Sequence, residues 1–268
     1  MRIHSFLLAL VLGTLLISCQ QEQTLFELKF PEETGVTFAN QIVESDSFNI
    51  LTDEYIFNGG GVATADFDQN GLPDLFFTGN QVANRLYLNR GEFKFTDVSE
   101  QAGILAEDKW CTGSVVVDIN NDGWMDLSMV GEWMPVSIFY NENGVLSERP
   151  FSMENSHGWW NKVVAADVNK DGFKDIIIGS GGNEYYGEDK HMMPRVYLNS
   201  EKGQFTLLND AIPVYNQSSD IIARDFNQDG AIDLFITSRV KAMDYGAPID
   251  SYLLYNTGDG HFKNVTAS

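Results

Sequence analysis

Nine residues, Asp66-Phe-Asp68-Gln-Asn70-Gly71-Leu72-Pro-Asp74, set the terms for this chain because their pattern returns three more times. The copies are Asp118-Ile-Asn120-Asn-Asp122-Gly123-Trp124-Met-Asp126, Asp167-Val-Asn169-Lys-Asp171-Gly172-Phe173-Lys-Asp175 and Asp225-Phe-Asn227-Gln-Asp229-Gly230-Ala231-Ile-Asp233. Each obeys Asp-x-Asp/Asn-x-Asp/Asn-Gly-x-x-Asp. Glycine at the sixth position marks a sharp turn through positive φ. Three carboxylates within nine residues repel one another unless a cation is shared, and no Lys or Arg stands at a candidate ligand position to relieve them.

Calcium takes roughly six to eight hard oxygen ligands, which a tight loop delivers from alternate positions. The candidate ligands are therefore the side chains of Asp66, Asp68, Asn70 and Asp74; Asp118, Asn120, Asp122 and Asp126; Asp167, Asn169, Asp171 and Asp175; and Asp225, Asn227, Asp229 and Asp233. The backbone carbonyls of Leu72, Trp124, Phe173 and Ala231 complete the sets, for up to four Ca2+. The competing reading is a polar turn without metal. An EF-hand needs a bidentate Glu at the twelfth position and helices on both sides; here Phe77, Met129, Ile178 and Ile236 stand there, so that reading fails.

Short apolar, often β-branched runs flank every loop: Val62 to Ala65 and Leu75 to Thr78, Val115 to Val117 and Leu127 to Val130, Val163 to Ala166 and Ile176 to Gly179, Ile221 to Ala223 and Leu234 to Thr237. They suit buried strands and are too short for helices. The first Asp of each loop falls at 66, 118, 167 and 225, and about 50 residues is one four-stranded propeller blade. A second signature follows each loop: Arg85-Leu-Tyr87-Leu-Asn89, Ser137-Ile-Phe-Tyr140-Asn141, Arg195-Val-Tyr197-Leu-Asn199 and Leu253-Leu-Tyr255-Asn256, each followed by a Gly-containing turn. One blade then reads strand A, loop, strand B, connector, strand C, turn, strand D. The fold class is all-β, with repeats at about 59–104, 105–155, 156–212 and 213–268.

In the four loops and the Tyr/Asn turns the chain resembles FG-GAP/VCBS-repeat proteins, the calcium-loop propellers also seen in integrin α-subunit heads, over roughly residues 25–268. Among these it looks most like Gram-negative surface lipoproteins. The resemblance implies seven blades in the complete form, calcium at each A–B loop, and a role in adhesion, ligand binding or surface assembly. Only four loops are present here, so the expectation is an incomplete or divided propeller, with a closed four-bladed ring as the alternative. Phe26-Glu-Leu-Lys-Phe30 through Gly35-Val36 mimics the strand D segment Phe95-Thr-Asp-Val98 through Gly103-Ile104, so residues 25–37 are expected to supply the outer strand of a closing blade within a tether spanning 20–58. His261 to Thr266 already begins a strand D for the fourth blade, so strands A, B and C of at least one further blade are expected to be absent, leaving a truncated or divided propeller or one that closes with a partner chain.

Residues 1–19 read as an export signal: a basic start at Arg2, an apolar run from Phe6 to Ile17 too short to span a membrane, and Leu16-Ile17-Ser18-Cys19, which resembles the bacterial lipoprotein box. Cys19 is the expected lipidation site, giving a chain held by its lipid alone at the bacterial outer membrane. Cys111 would remain as the sole thiol, so no internal disulfide is available. A formal charge of −21 argues against nucleic acid, whose phosphates need a basic face.

Strand polarity puts the calcium loops at one end of every blade and the B–C and D–A connectors at the other. The B–C connectors of the third and fourth repeats carry insertions, and aromatic residues gather on that side: Trp110, Trp159, Trp160, Tyr185, Tyr186 and Tyr245. Such platforms stack on sugars or anchor protein partners; wedging between blades is the competing role for Trp159 and Trp160. No nucleophile elbow, zinc pattern or phosphate loop is present, and a Glu184/Glu188 carboxylate pair is the weakest of the alternatives. Gly59-Gly60-Gly61 reads as a tight lead-in to the first blade. The expected function is non-enzymatic recognition of a glycan or protein, with a structural subunit of a larger assembly as the second reading.

Overall fold

The computed structural model describes residues 25–149, 151, 158–182, 184–201 and 203–266; the export signal and Cys19 lie outside them. Among the described residues, sixteen strands form four four-stranded antiparallel sheets, each built from strands consecutive in sequence. They are β1 (Val62–Ala65), β2 (Asp74–Phe77), β3 (Arg85–Asn89) and β4 (Phe95–Asp97); β5 (Trp110–Val117), β6 (Asp126–Glu132), β7 (Ser137–Glu142) and β8 (Val145–Arg149); β9 (Trp160–Ala166), β10 (Asp175–Ser180), β11 (Arg195–Leu198) and β12 (Thr206–Leu208); and β13 (Ser218–Arg224), β14 (Asp233–Ser238), β15 (Tyr252–Asn256) and β16 (Phe262–Asn264). These are four β-propeller blades. Their first strands neighbour one another in the order β1, β5, β9, β13, and among the described residues the four sheets do not close into a ring.

Side chains alternate across each strand, so every blade offers one face to the blade before it and one to the blade after. Three apolar cores result. Phe67, Phe76 and Leu86 of the first blade meet Leu127, Met129 and Phe139 of the second. Ile119, Val130 and Ile138 of the second meet Trp160, Val163, Ile176 and Ile178 of the third. Val168, Ile177 and Val196 of the third meet Ile221, Leu234, Ile236 and Leu254 of the fourth.

The alignment of strand C differs from the one its tyrosines suggest. Tyr87 and Tyr197 pair with Leu75 and Ile176, but the residues paired with Leu127 and Leu234 are Phe139 and Leu254, not Tyr140 and Tyr255. The equivalent position across the repeats is the asparagine: Asn89, Asn141, Asn199 and Asn256.

The N-terminal segment departs most from expectation. Residues 25–30 form no strand, and a one-turn helix α1 (Pro31–Thr34) follows. A fourth strand needs a third to bond to, and none is offered, so Phe26 and Leu28 stay exposed. The mimicry is kept in the turn that comes next: Thr34 N–H donates to Phe30 O as Ala102 N–H donates to Val98 O, and Gly35 and Gly103 both take positive φ. Phe38 then stacks on Phe77 with ring centroids 5.0 Å apart, and Thr37 N–H donates to Tyr87 Oη.

Beyond this the segment is a strap rather than a tether. Asn40 pairs with Asn80 through two hydrogen bonds, Phe48 meets Trp110 edge-on, and Tyr55 reaches the far side of the arc, where its hydroxyl donates to Gln217 Oε1 at 3.1 Å. The chain enters β1 through Gly60, where a Cβ would lie 2.0 Å from Thr78 O. That close approach is the tight lead-in expected of the triple glycine.

Candidate functional site

Each loop is built the same way from its Asp side chains. The first Asp caps the turn: Asp66 Oδ1 and Oδ2 accept from the N–H groups of Asn70 and Gly71, and Asp118, Asp167 and Asp225 repeat this. The sixth-position glycines have φ between 82° and 92°. The fourth position is also left-handed, although Gln69, Asn121, Lys170 and Gln228 occupy it, with φ from 55° to 65°. A non-glycine residue there costs on the order of 1 kcal/mol, and at two loops the side chain is used: Gln69 Nε2 donates to Gly123 O and Asn121 Nδ2 to Gly172 O in the following blade.

The ninth-position Asp is fully buried in all four loops. Its Oδ2 accepts from the N–H of the second loop residue (Phe67, Ile119, Val168, Phe226) at 2.7–3.0 Å. Its Oδ1 accepts from the N–H of the strand C asparagine at 2.7–2.9 Å. Asp74, Asp126, Asp175 and Asp233 therefore lock loop to sheet. Burial raises the carboxyls of Asp126 and Asp175 to about 6 and also raises Asp74; neighbouring loop carboxylates add to this, while the two backbone N–H groups oppose it.

Among the described residues, three acidic side chains converge only in the first loop, where one oxygen each from Asp66, Asp68 and Asp74 lies within 4.8 Å of the others. Asp68 Oδ1 there is buried and has no hydrogen-bond partner, while its Oδ2 accepts from Arg90. A hard-oxygen set with an orphaned buried oxygen fits a cation such as Ca2+. The second, third and fourth loops carry Asn at the third position, and Asn120, Asn169 and Asn227 donate to Asp122, Asp171 and Asp229 at 2.8–2.9 Å. Those side chains thus hydrogen-bond to one another. The backbone N–H groups of Leu72, Trp124, Phe173 and Ala231 donate to the fifth-position side chain, closing the turn.

The opposite face does not hold all the aromatic residues expected there. Trp160 is fully buried beneath the Arg195 guanidinium, and Trp159 is 3 % exposed, clamped between Tyr55 and Trp133. Both wedge into the fold, because the strand that begins there is the inner strand of a blade packed on two sides. Trp110 is half-buried against Phe48, and Tyr185 stacks on His191. Tyr186 and Tyr245 are exposed.

The sequence reads Glu132-Trp133 as packing and Arg239 only as the start of the fourth-repeat insertion, and it gives no role to Tyr55; Glu132 is buried, but Trp133 is 47 % exposed and held at φ 55°. Arg239 lies over the Tyr55 ring at 4.4 Å. Glu132 is 7 % exposed, and its carboxyl is pushed up to about 8, chiefly by burial and then by the negative charges of Asp53 and Glu184. Asp53, Glu54, Tyr55 and Glu184 line a recess of about 180 Å3 beside Met243. The only advance signal was the alternation of charge and aromatics along Asp53-Glu-Tyr55 and Glu132-Trp133.

Residues 66–129 and 118–178 match the FG-GAP-like repeat. Over 190 residues the chain is 26 % identical to cartilage acidic protein 1 of Xenopus tropicalis, and over 191 residues 24 % identical to cartilage acidic protein 1 of Homo sapiens. Each alignment covers 67 % of this chain and 28 % of the relative, so the chain spans less than a third of the length of the curated proteins it matches.

Proposed function

From the premise that this chain carries FG-GAP-like repeats on β-propeller blades, we propose a non-enzymatic binding protein whose loops take calcium and whose opposite face recognises a glycan or protein. The calcium reading rests on the convergence of Asp66, Asp68 and Asp74 around an unpartnered buried oxygen. A divalent ion there offsets the cost of burying Asp74, which raises its carboxyl together with the weaker repulsion from Asp68 and Asp66, and ties the A–B corner of the first blade. The other loops take calcium once the third-position Asn turns its oxygen inward. Recognition falls to the surface around Trp133, Tyr186 and Tyr245, whose rings stay exposed on a face otherwise braced by the strap.

Binding of the purified chain to a glycan array in millimolar calcium tests this reading. Selective retention should be lost in Trp133→Ala and Tyr245→Ala, whereas uniform absence of binding would sink the glycan arm, and turnover of a bound glycan would make the protein an enzyme. Anchoring at the outer membrane through Cys19 belongs to the same proposal; it predicts incorporation of labelled fatty acid that Cys19→Ala abolishes.

A further inference from the structure

The fourth residue of a loop reaches out of its own loop and into the next one. Gln69, Asn121 and Lys170 stand there at φ 55°, 58° and 65°, a left-handed backbone that a non-glycine residue adopts only at a cost. In all three the side chain arrives at the sixth-position glycine of the following blade. Gln69 Nε2 donates to Gly123 O at 2.9 Å and Asn121 Nδ2 to Gly172 O at 3.1 Å, while a Cβ placed on Gly230 would lie 4.0 Å from Lys170 Nζ.

The first two contacts are neutral and the third is charged. The amides of Gln69 and Asn121 meet a carbonyl beside the second and third loops and leave the charge of those loops as it is. Lys170 instead brings an ammonium to the fourth loop, beside the turn where Gly230 N–H donates to Asp225 Oδ2 at 2.9 Å. The Asp229 carboxyl is held below its ordinary value by the Ala231 N–H, then by the Asn227 side chain, and also by the Lys170 charge. The second, third and fourth loops carry the same candidate ligand side chains, Asp, Asn, Asp and Asp at positions 1, 3, 5 and 9. What separates the fourth from the other two therefore comes from the neighbouring blade.

We propose that the fourth-position side chain tunes the calcium affinity of the following loop, and that Lys170 weakens the fourth loop by standing in part for its cation. This rests on the calcium reading of the loops and adds to it a residue outside the ligand set. A unit charge about 6 Å from a divalent ion in water-like surroundings changes its affinity by roughly three- to tenfold at low salt, and screening shrinks the effect as salt rises. Both Lys170 and Asp229 are exposed, so this salt dependence is part of the expectation.

Calcium titration of the full chain by calorimetry, with native mass spectrometry counting the ions bound, tests the proposal. Lys170→Gln should tighten the weakest step by about three- to tenfold at low salt, and by less in high salt. That gain should vanish in an Asp225→Asn background and persist in an Asp167→Asn background, because Lys170 acts on the fourth loop and not on the third, to which it belongs. Asp229→Asn replaces Asp225→Asn if circular dichroism shows that the latter does not fold. Gln69→Lys makes the converse change and should weaken a step that Asp118→Asn removes. Calcium uptake left unchanged by Lys170→Gln, or a gain that survives Asp225→Asn and disappears with Asp167→Asn, would overturn this inference alone. A chain that takes up no calcium would overturn it together with the calcium reading.

Discussion

Phe67 and Phe226 hold the same place in the same nine-residue motif, yet one is 2 % exposed and the other 39 %. The difference lies in the neighbour: Phe67 packs against the second blade, whereas among the described residues no blade covers Phe226. Equal residues therefore carry unequal energy, and what the motif contributes is a junction, completed only when two repeats meet. The loop also acts within its own repeat, through the ninth-position Asp, and there the four copies are alike.

The largest expected effect sharpens this comparison. Ile119→Ala, in a closed junction, should lower unfolding free energy by about 2–5 kcal/mol through lost burial and a cavity. Phe226→Ala, at the open end, should cost under about 1 kcal/mol when measured on the monomer by urea unfolding. Equal costs would mean that the end of the arc is as well packed as its middle.

Cation binding sets the loops apart from one another. If calcium binds the native state, free calcium at about a hundredfold over its dissociation constant should stabilise the chain by about 2.7 kcal/mol per site. Asp68→Asn should remove the tightest part of that response, because it alters the only loop in which three carboxylates meet among the described residues. Identical thermal unfolding curves in EDTA and in millimolar calcium would break the metal reading.

The strand C asparagines isolate the polar half of a junction. Asn141→Ala removes donations to Phe67 O and Met125 O and the bond from Gly144 N–H; Asn89→Ala removes the bond to Pro73 O and the one from Gly91 N–H but no inter-blade bond. The first variant should be the less stable by about 1 kcal/mol, the net worth of one hydrogen bond, as measured by denaturant midpoint.

The pH-dependent comparison concerns Glu132 at the connector end of the second junction, where it bridges to Trp159. Its carboxyl is raised to about 8 from an ordinary 4.5, so between these values the folded state keeps a proton that the unfolded state has released. Stability from this group is therefore present at low pH and falls as pH rises, by up to about 1.4 kcal/mol per unit, and the fall ends above the folded value. Glu132→Gln should flatten the slope of stability against pH between about 5 and 8 in equilibrium unfolding; an unchanged slope would show that this carboxyl is not the group responsible.

The sequence by itself determined whatever depends on neighbours close along the chain. Asp66 to Asp74 and its copies specify the turns, glycine at the sixth position meets the demand for positive φ, and the short β-branched runs specify four antiparallel sheets with the loops at one end. The Gly59-Gly60-Gly61 lead-in was legible for the same reason, since a local backbone demand leaves a local residue choice. Only the tertiary structure decided which loop gathers its carboxylates, because Asn and Asp at the third position differ little in sequence but one donates hydrogen bonds and the other cannot. It alone showed residues 25–30 without a strand to join, Trp159 and Trp160 buried, and Tyr55 carried across the arc to Gln217. Each of these depends on partners tens of residues away, and the energy of burial and pairing belongs to the contact rather than to the residue that makes it.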